Sequence, residues 1–158
     1  MIVNARVHNL VLNMSNELIF LTPDFSTHQS LPFADGGVRA GFPSPAQDYM
    51  DRTIDLNREL IRHPAATFYS KVVGDSMIEA GIHPGDLLVI DRSIDPYDGC
   101  TAVCLLNGDF TVKELDMSVY ERKIIRLIPH NPNYKPIVVS DNDQFEIWGV
   151  VSYVIHKV

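Results

Sequence analysis

The chain has 158 residues, of which 46% are apolar, and it carries a formal net charge of −7. This length predicts one compact domain with an appendage, and the apolar content is sufficient for a core. The acidic balance argues against a broad nucleic-acid-binding face, and the absence of a run of about 18 apolar residues argues against a transmembrane helix.

The first 33 residues mix apolar and polar positions without a long helical period. Val11-Leu12 and Leu18–Leu21 are compatible with short strands or with a loose helix. The second run is too short for the core of a signal peptide, so we expect a cytoplasmic protein. A helix-turn-helix domain would need more residues and a basic recognition helix, whereas the first 40 residues contain only two Lys or Arg residues, Arg6 and Arg39. Direct sequence-specific DNA binding is therefore not expected.

A glycine-rich, non-helical segment follows at residues 34–43 and contains the pair Ala40-Gly41. Small residues on both sides of a peptide bond let the backbone enter a narrow cleft, and flanking glycines permit unusual backbone angles. Composition alone favours an ordinary flexible linker. The only convincing helical stretch after this segment is Ile54–Arg62, with Asp51 or Thr53 as candidate caps.

From residue 64 onward the pattern predicts a mostly antiparallel β domain of short strands. The predicted strands are residues 67–73, 87–90, 101–106, 110–115, 124–128, 137–139 and 145–155. Asn107-Gly108 predicts a tight hairpin between two of them, which fixes their register. A short helical turn is expected at residues 77–80, and a turn between strands at residues 131–134.

Ser76 and Lys113, each in a β-type apolar context, are candidates for a nucleophile and its general base. The base would have to be the neutral amine, which requires burial to lower the lysine pKa from a reference of about 10.4. On a strand, Lys113 would share a face with Thr111 and Leu115. Ser76 ends a strand, so its hydroxyl can protrude, and its N–H with that of Asp75 is a candidate oxyanion hole.

The remaining reactive residue types have simpler interpretations. Cys100 and Cys104 would lie about 13 Å apart on a strand, too far for a disulfide, and are predicted to be buried structural thiols. The six histidines show no metal-ligand spacing. A cluster of turn aspartates lacks the pattern of an EF-hand loop and is predicted to be solvated; it consists of Asp86, Asp91, Asp95 and Asp98. No metal or cofactor is expected.

Several ordered motifs resemble the UmuD family, self-cleaving accessory subunits of bacterial error-prone DNA polymerases that are related to the LexA repressors. The motifs are residues 41–49, Ile54-Asp55-Leu56-Asn57, Gly74-Asp75-Ser76-Met77-Ile78, residues 85–91 and residues 108–113. The resemblance runs from about Arg39 to the end of the chain. It implies a compact LexA/UmuD-like peptidase domain with an extended N-terminal arm.

The resemblance also implies roles for the matched residues. Ser76 would be the nucleophile, Lys113 its base, and Ala40-Gly41 the scissile pair. UmuD proteins often carry Cys-Gly at this position, but alanine is equally small, so cleavage is expected to be retained. The implied organisation is an arm removed by self-cleavage at residues 1–40, a linker with a short helix at 41–63, and a Ser-Lys peptidase domain at 64–158.

The implied partners are a second copy of the chain, a UmuC-like Y-family DNA polymerase, and a RecA filament on single-stranded DNA that stimulates cleavage during the SOS response. A different class of function stays open: a non-catalytic dimeric binding module of the same fold that regulates a polymerase or a repressor. A signal-peptidase-like enzyme with the same chemistry is disfavoured because no membrane anchor is predicted. Repression of the LexA kind is disfavoured because no DNA-reading half is recognisable.

Overall fold

The computed structural model describes residues 19–26, 31–33, 52–118 and 124–158. Ten strands and one short α-helix form within these ranges. The elements are β1 (Ile19–Leu21), β2 (Leu31–Phe33), β3 (Arg52–Ile54), α1 (Leu56–Leu60), β4 (Thr67–Lys71), β5 (Leu87–Asp91), β6 (Thr101–Leu106), β7 (Asp109–Asp116), β8 (Ile125–Ile128), β9 (Ile137–Val139) and β10 (Phe145–Ile155). In these parts of the chain no helix is long and apolar enough to cross a bilayer.

The described residues divide into two compact units. The larger unit lies within residues 1–23 and 63–158 and contains an eight-stranded antiparallel sheet. Its strand order is β1-β4-β5-β10-β6-β7-β8-β9. The mostly antiparallel β fold predicted from the sequence is therefore confirmed.

The smaller unit lies within residues 24–62 and contains the β2–β3 ladder and α1. The helix is shorter than predicted, and its cap is Asp55 instead of Asp51 or Thr53, because the Asp55 carboxylate accepts a hydrogen bond from the amide of Asn57 at 3.0 Å. Thr53 lies in β3, which the sequence did not predict.

The hairpin between β6 and β7 has the geometry that its sequence predicts. Asn107 and Gly108 have φ angles of 52° and 93°, the left-handed conformations that a two-residue turn requires. The resulting register places Ala102 opposite Lys113 and Val103 opposite Val112. Since alternate residues face opposite sides, Val112 joins one apolar cluster and Leu115 joins another.

Strand β10 holds the two halves of the sheet together. Its first half pairs with β6 and its second half with β5, with register shifts at residues 147–149 and 151–153. Gly149 lies at the first shift, where a Cβ atom would come within 2.7 Å of the Ile90 side chain. A side chain at this position would therefore force β10 away from β5.

Candidate active site

Ser76 lies in the turn that follows β4. Gly74 has a φ of 86°, which turns the chain away from the strand, and Met77 inserts into the apolar cluster with only 3% of its surface exposed. A short 3₁₀ turn at Ile78–Ala80 follows, where a helical turn was predicted. The glycine and the buried methionine thus fix the backbone on either side of the serine.

Lys113 reaches this turn from β7. It is 6% exposed, and its Nζ atom lies 2.8 Å from Ser76 Oγ, 2.8 Å from Thr111 Oγ1 and 2.9 Å from the carbonyl oxygen of Val112. The contact with Thr111 follows from the shared strand face that the sequence predicted. The structure therefore brings together the serine and the lysine that lie 37 positions apart in the chain.

The number of donors and acceptors at Lys113 suits a neutral amine as well as a charged one. An ammonium has three N–H donors, and each has an acceptor here. A neutral amine has two donors and a lone pair. Thr111 Oγ1 and the carbonyl of Val112 accept from those two donors, which leaves the lone pair for the hydroxyl proton of Ser76.

The surroundings favour the neutral form. Burial lowers the pKa of Lys113, because desolvation penalises the charged amine. Cys104 would oppose this effect as a thiolate, but burial raises the pKa of the Cys104 thiol to about 12. Among the described residues, the carboxylates that form ion pairs do so with histidine or arginine and not with Lys113. Within the described ranges, the lysine is thus buried without a counter-ion.

A cleft of about 230 Å³ opens over this pair of side chains. It is bordered by the serine turn, by the first half of β7 and by residues of the segment that includes β9. Its lining residues are Val72, Val73, Gly74, Asp75, Ser76, Met77, Ile82, Phe110, Thr111, Val112, Lys113, Tyr134, Lys135 and Ile137. Strand β8 pairs only with Glu114–Asp116, so it does not cover the half of β7 that borders the cleft.

The segment between β8 and β9 supports the serine turn, a role that the sequence did not reveal. The amide of His130 donates to the carbonyl of Ser76 at 2.8 Å. Asn131, which is buried, donates from Nδ2 to the carbonyl of Asp75 at 3.0 Å, and Tyr134 donates from its hydroxyl to the Asp75 carboxylate at 2.6 Å. The sequence predicted only a turn here, because turn residues do not indicate which distant backbone their side chains reach.

The amides of Asp75 and Ser76 were predicted to stabilise an oxyanion. Within the described residues, neither N–H group donates a hydrogen bond, whereas the carbonyls of both residues accept one. The amides are thus available to a carbonyl oxygen from another segment. Ala40 and Gly41, the predicted scissile pair, lie outside the described residues, as does most of the predicted arm.

The predictions for the cysteines are confirmed, whereas those for the turn aspartates are only partly correct. Cys100 and Cys104 are buried and free, as predicted. Asp95 and Asp98 are exposed, but Asp86 and Asp91 are 3% and 4% exposed, so the prediction of solvated turn carboxylates is wrong for these two. Each is buried because a histidine and a backbone amide satisfy its oxygens.

Comparison with known proteins agrees with this geometry. A family model described as peptidase S24-like matches residues 32–152. Protein SamA of Salmonella typhimurium is 40% identical over 141 residues, which cover 89% of this chain and 96% of SamA. Protein MucA of Escherichia coli is 39% identical over 136 residues, covering 85% and 90% of the two chains.

LexA repressor 1 of Xanthomonas campestris is 38% identical over 122 residues, which cover 77% of this chain but only 59% of the repressor. The similarity to SamA, at 141 residues, is too long to fit between Arg39 and the end of the chain. The relationship thus extends further toward the N-terminus than the sequence motifs indicated.

Proposed function

Because the chain belongs to the S24-like peptidase family, which the motifs predicted, we propose that it is a serine endopeptidase that cleaves its own Ala40-Gly41 bond. One observation carries this proposal: the Nζ atom of a buried lysine, which has no counter-ion among the described residues, lies 2.8 Å from the hydroxyl oxygen of a serine that borders an open cleft. A serine hydroxyl becomes a nucleophile when an adjacent base takes its proton.

In the proposed reaction, neutral Lys113 accepts the proton of Ser76 as Oγ bonds to the carbonyl carbon of Ala40. The carbonyl oxygen becomes an oxyanion, which the amides of Asp75 and Ser76 stabilise. The bond to Gly41 then breaks, and the lysine ammonium returns the proton to the leaving amine. Water, activated by the same amine, releases the acyl group from Ser76 and regenerates the enzyme.

Cleavage would act as a switch for a second role. By analogy with the UmuD family, the processed chain would dimerise and serve a UmuC-like Y-family polymerase in translesion synthesis during the SOS response. A RecA filament on single-stranded DNA would promote cleavage by stabilising the conformer in which the arm occupies the cleft. These roles place the protein in the cytoplasm. Similarity to SamA and MucA over most of each chain supports this proposal.

The test is incubation of the purified full chain at alkaline pH, followed by mass spectrometry. We expect one large product that begins with Gly41 and ends with Val158. Gly41→Val should block cleavage, because a β-branched side chain next to the scissile bond would collide with the cleft walls. Gly37→Val, the same substitution elsewhere in the glycine-rich segment, is the matched control and should still be cleaved.

A cut at another bond, or normal cleavage of the Gly41→Val protein, would show that the scissile pair is misassigned. An unchanged chain at every pH would instead favour the non-catalytic binding module.

A further inference from the structure

A second cluster of reactive side chains lies outside the cleft and shares no residue with the Ser76–Lys113 pair. His83 and Asp86 belong to the turn before β5, and His156 follows directly after β10. Their potential ligand atoms, one from each side chain, all lie within 4.8 Å of one another. His156 is 70 positions from Asp86, so the spacing of residues in the sequence could not indicate that the three meet.

The carboxylate of Asp86 is the fixed centre of this cluster. Its side chain is 3% exposed, and Oδ2 accepts a hydrogen bond from the amide of His83 at 2.8 Å. Oδ1 lies 2.6 Å from Nδ1 of His156. The hydrogen bond from the His83 amide to Oδ2 orients Oδ1. In metal sites, hydrogen bonds from outer groups hold a ligand in place in the same way.

His83 has an unused nitrogen that faces the same carboxylate. Its Nδ1 atom is buried and has no hydrogen-bond partner, since it lies 3.7 Å from Asp86 Oδ2, which is too long for a hydrogen bond. The two imidazole rings lie with their centroids 5.1 Å apart. An unpartnered buried nitrogen beside a buried carboxylate offers two ligand atoms to one bound ion.

We propose that His83, Asp86 and His156 bind one divalent transition-metal ion of the Zn²⁺ type. Two imidazole nitrogens and one carboxylate oxygen suit Zn²⁺, whereas Mg²⁺ and Ca²⁺ prefer oxygen ligands. Ligands of a tetrahedral zinc ion lie about 3.4 Å apart. The most distant pair in the cluster, up to 4.8 Å apart, therefore has to approach by up to about 1.4 Å. Asp86 Oδ1 and His156 Nδ1, which are 2.6 Å apart, have to separate by about 0.8 Å. The histidine side chains are 41% and 51% exposed, which leaves both rings room to rotate.

The bound ion would connect the end of β10 to the turn before β5. That turn is hydrogen-bonded to Val72, which borders the cleft: the amide of Val72 donates to the carbonyl of Asp86 at 2.8 Å, and the amide of Gly85 donates to the carbonyl of Val72 at 2.9 Å. The ion therefore anchors the C-terminal segment and stiffens one wall of the cleft. With three protein ligands, it keeps a fourth position open to water.

The test is calorimetric titration of the untagged, chelator-treated full chain with Zn²⁺, with Co²⁺ as a spectroscopic probe. We expect one equivalent to bind, a visible d–d absorption band for Co²⁺, and a rise in melting temperature with Zn²⁺ concentration. His83→Ala and His156→Ala should each weaken binding at least about tenfold. His156→Gln provides a further variant at an exposed position, where loss of folding is not expected.

His63→Ala is the matched control. Nδ1 of His63 also contacts a buried aspartate, Asp91, at 2.7 Å, but the described residues place no second histidine there. This variant should bind Zn²⁺ like the wild type. Equal affinity in the wild type and the His83 and His156 variants, or equal loss in the His63 variant, would overturn the proposal.

Discussion

Lys113 and Asp91 are both buried ionisable side chains, yet their surroundings differ in kind. Lys113 contacts two hydroxyl groups and a carbonyl, none of which carries a charge at neutral pH. Asp91 contacts Nδ1 of His63 and accepts hydrogen bonds from both the amide and the hydroxyl of Ser93. The lysine is solvated by groups that tolerate a neutral amine, whereas the aspartate is surrounded by groups that favour its charge.

The pKa of each group is lowered, with opposite consequences. For Lys113, burial is the cause, and a lower pKa means that the neutral base exists at a lower pH. For Asp91, burial raises the pKa, but the hydrogen bonds from Ser93 and His63 outweigh it and lower the pKa overall, which preserves the charged carboxylate. We infer that the first region is arranged for chemistry and the second for stability.

The largest expected effect is on cleavage. Ser76→Ala and Lys113→Ala should each slow self-cleavage by at least about 10³-fold, because the two side chains act as one unit and loss of either removes most of the rate. Cleavage is measured by gel densitometry at alkaline pH, with circular dichroism to establish folding. Appreciable cleavage of the folded Ser76→Ala protein at the same bond would contradict the assignment.

The next largest effect is a difference in the free energy of unfolding between variants at Lys113 and at Asp91. Lys113→Met removes a buried amine that has no counter-ion in the described part of the chain, and it should change the free energy of unfolding by less than about 1 kcal/mol. Asp91→Ala leaves the donors of Ser93 and His63 without their acceptor and should cost about 1 to 3 kcal/mol.

Urea denaturation measures both changes. Below its unfolding transition the Asp91→Ala protein should still cleave itself, whereas the Lys113→Met protein should not. If the lysine variant were the less stable of the two, Lys113 would be a structural residue and the comparison would fail.

The smallest effect concerns the support of the serine turn. Tyr134→Phe removes the hydrogen bond to the Asp75 carboxylate and should slow cleavage by up to about tenfold. Tyr97→Phe is the control, since Tyr97 is exposed and does not border the cleft. Equal rates for the Tyr134→Phe protein and the wild type would mean that this contact does not position the turn.

The sequence predicted those features that depend on local pattern. The Asn107-Gly108 turn predicted the β6–β7 hairpin and its register, and strand alternation predicted that Lys113 shares a face with Thr111. The family motifs added the pairing with Ser76. Each of these inferences rests on residues that are close in sequence or on a recognisable motif.

Features that depend on distant contacts could not be predicted. Strands β2 and β3 have three residues each, too few for a period to show. Asp86 was predicted to be solvated because its partner His156 lies on another element. The contact of Tyr134 with Asp75 spans 59 positions, and neither local sequence indicates it.

The central claim is that neutral Lys113 is the base for Ser76, and the rate of self-cleavage as a function of pH tests it most directly. The rate without any activator should rise from about pH 7 with a single ionisation and level off below the reference lysine pKa of about 10.4, because burial lowers the pKa of Lys113. Lys113→Arg should be inactive at every pH, since guanidinium stays charged. A flat profile, or an active arginine variant, would show that Lys113 is not the base.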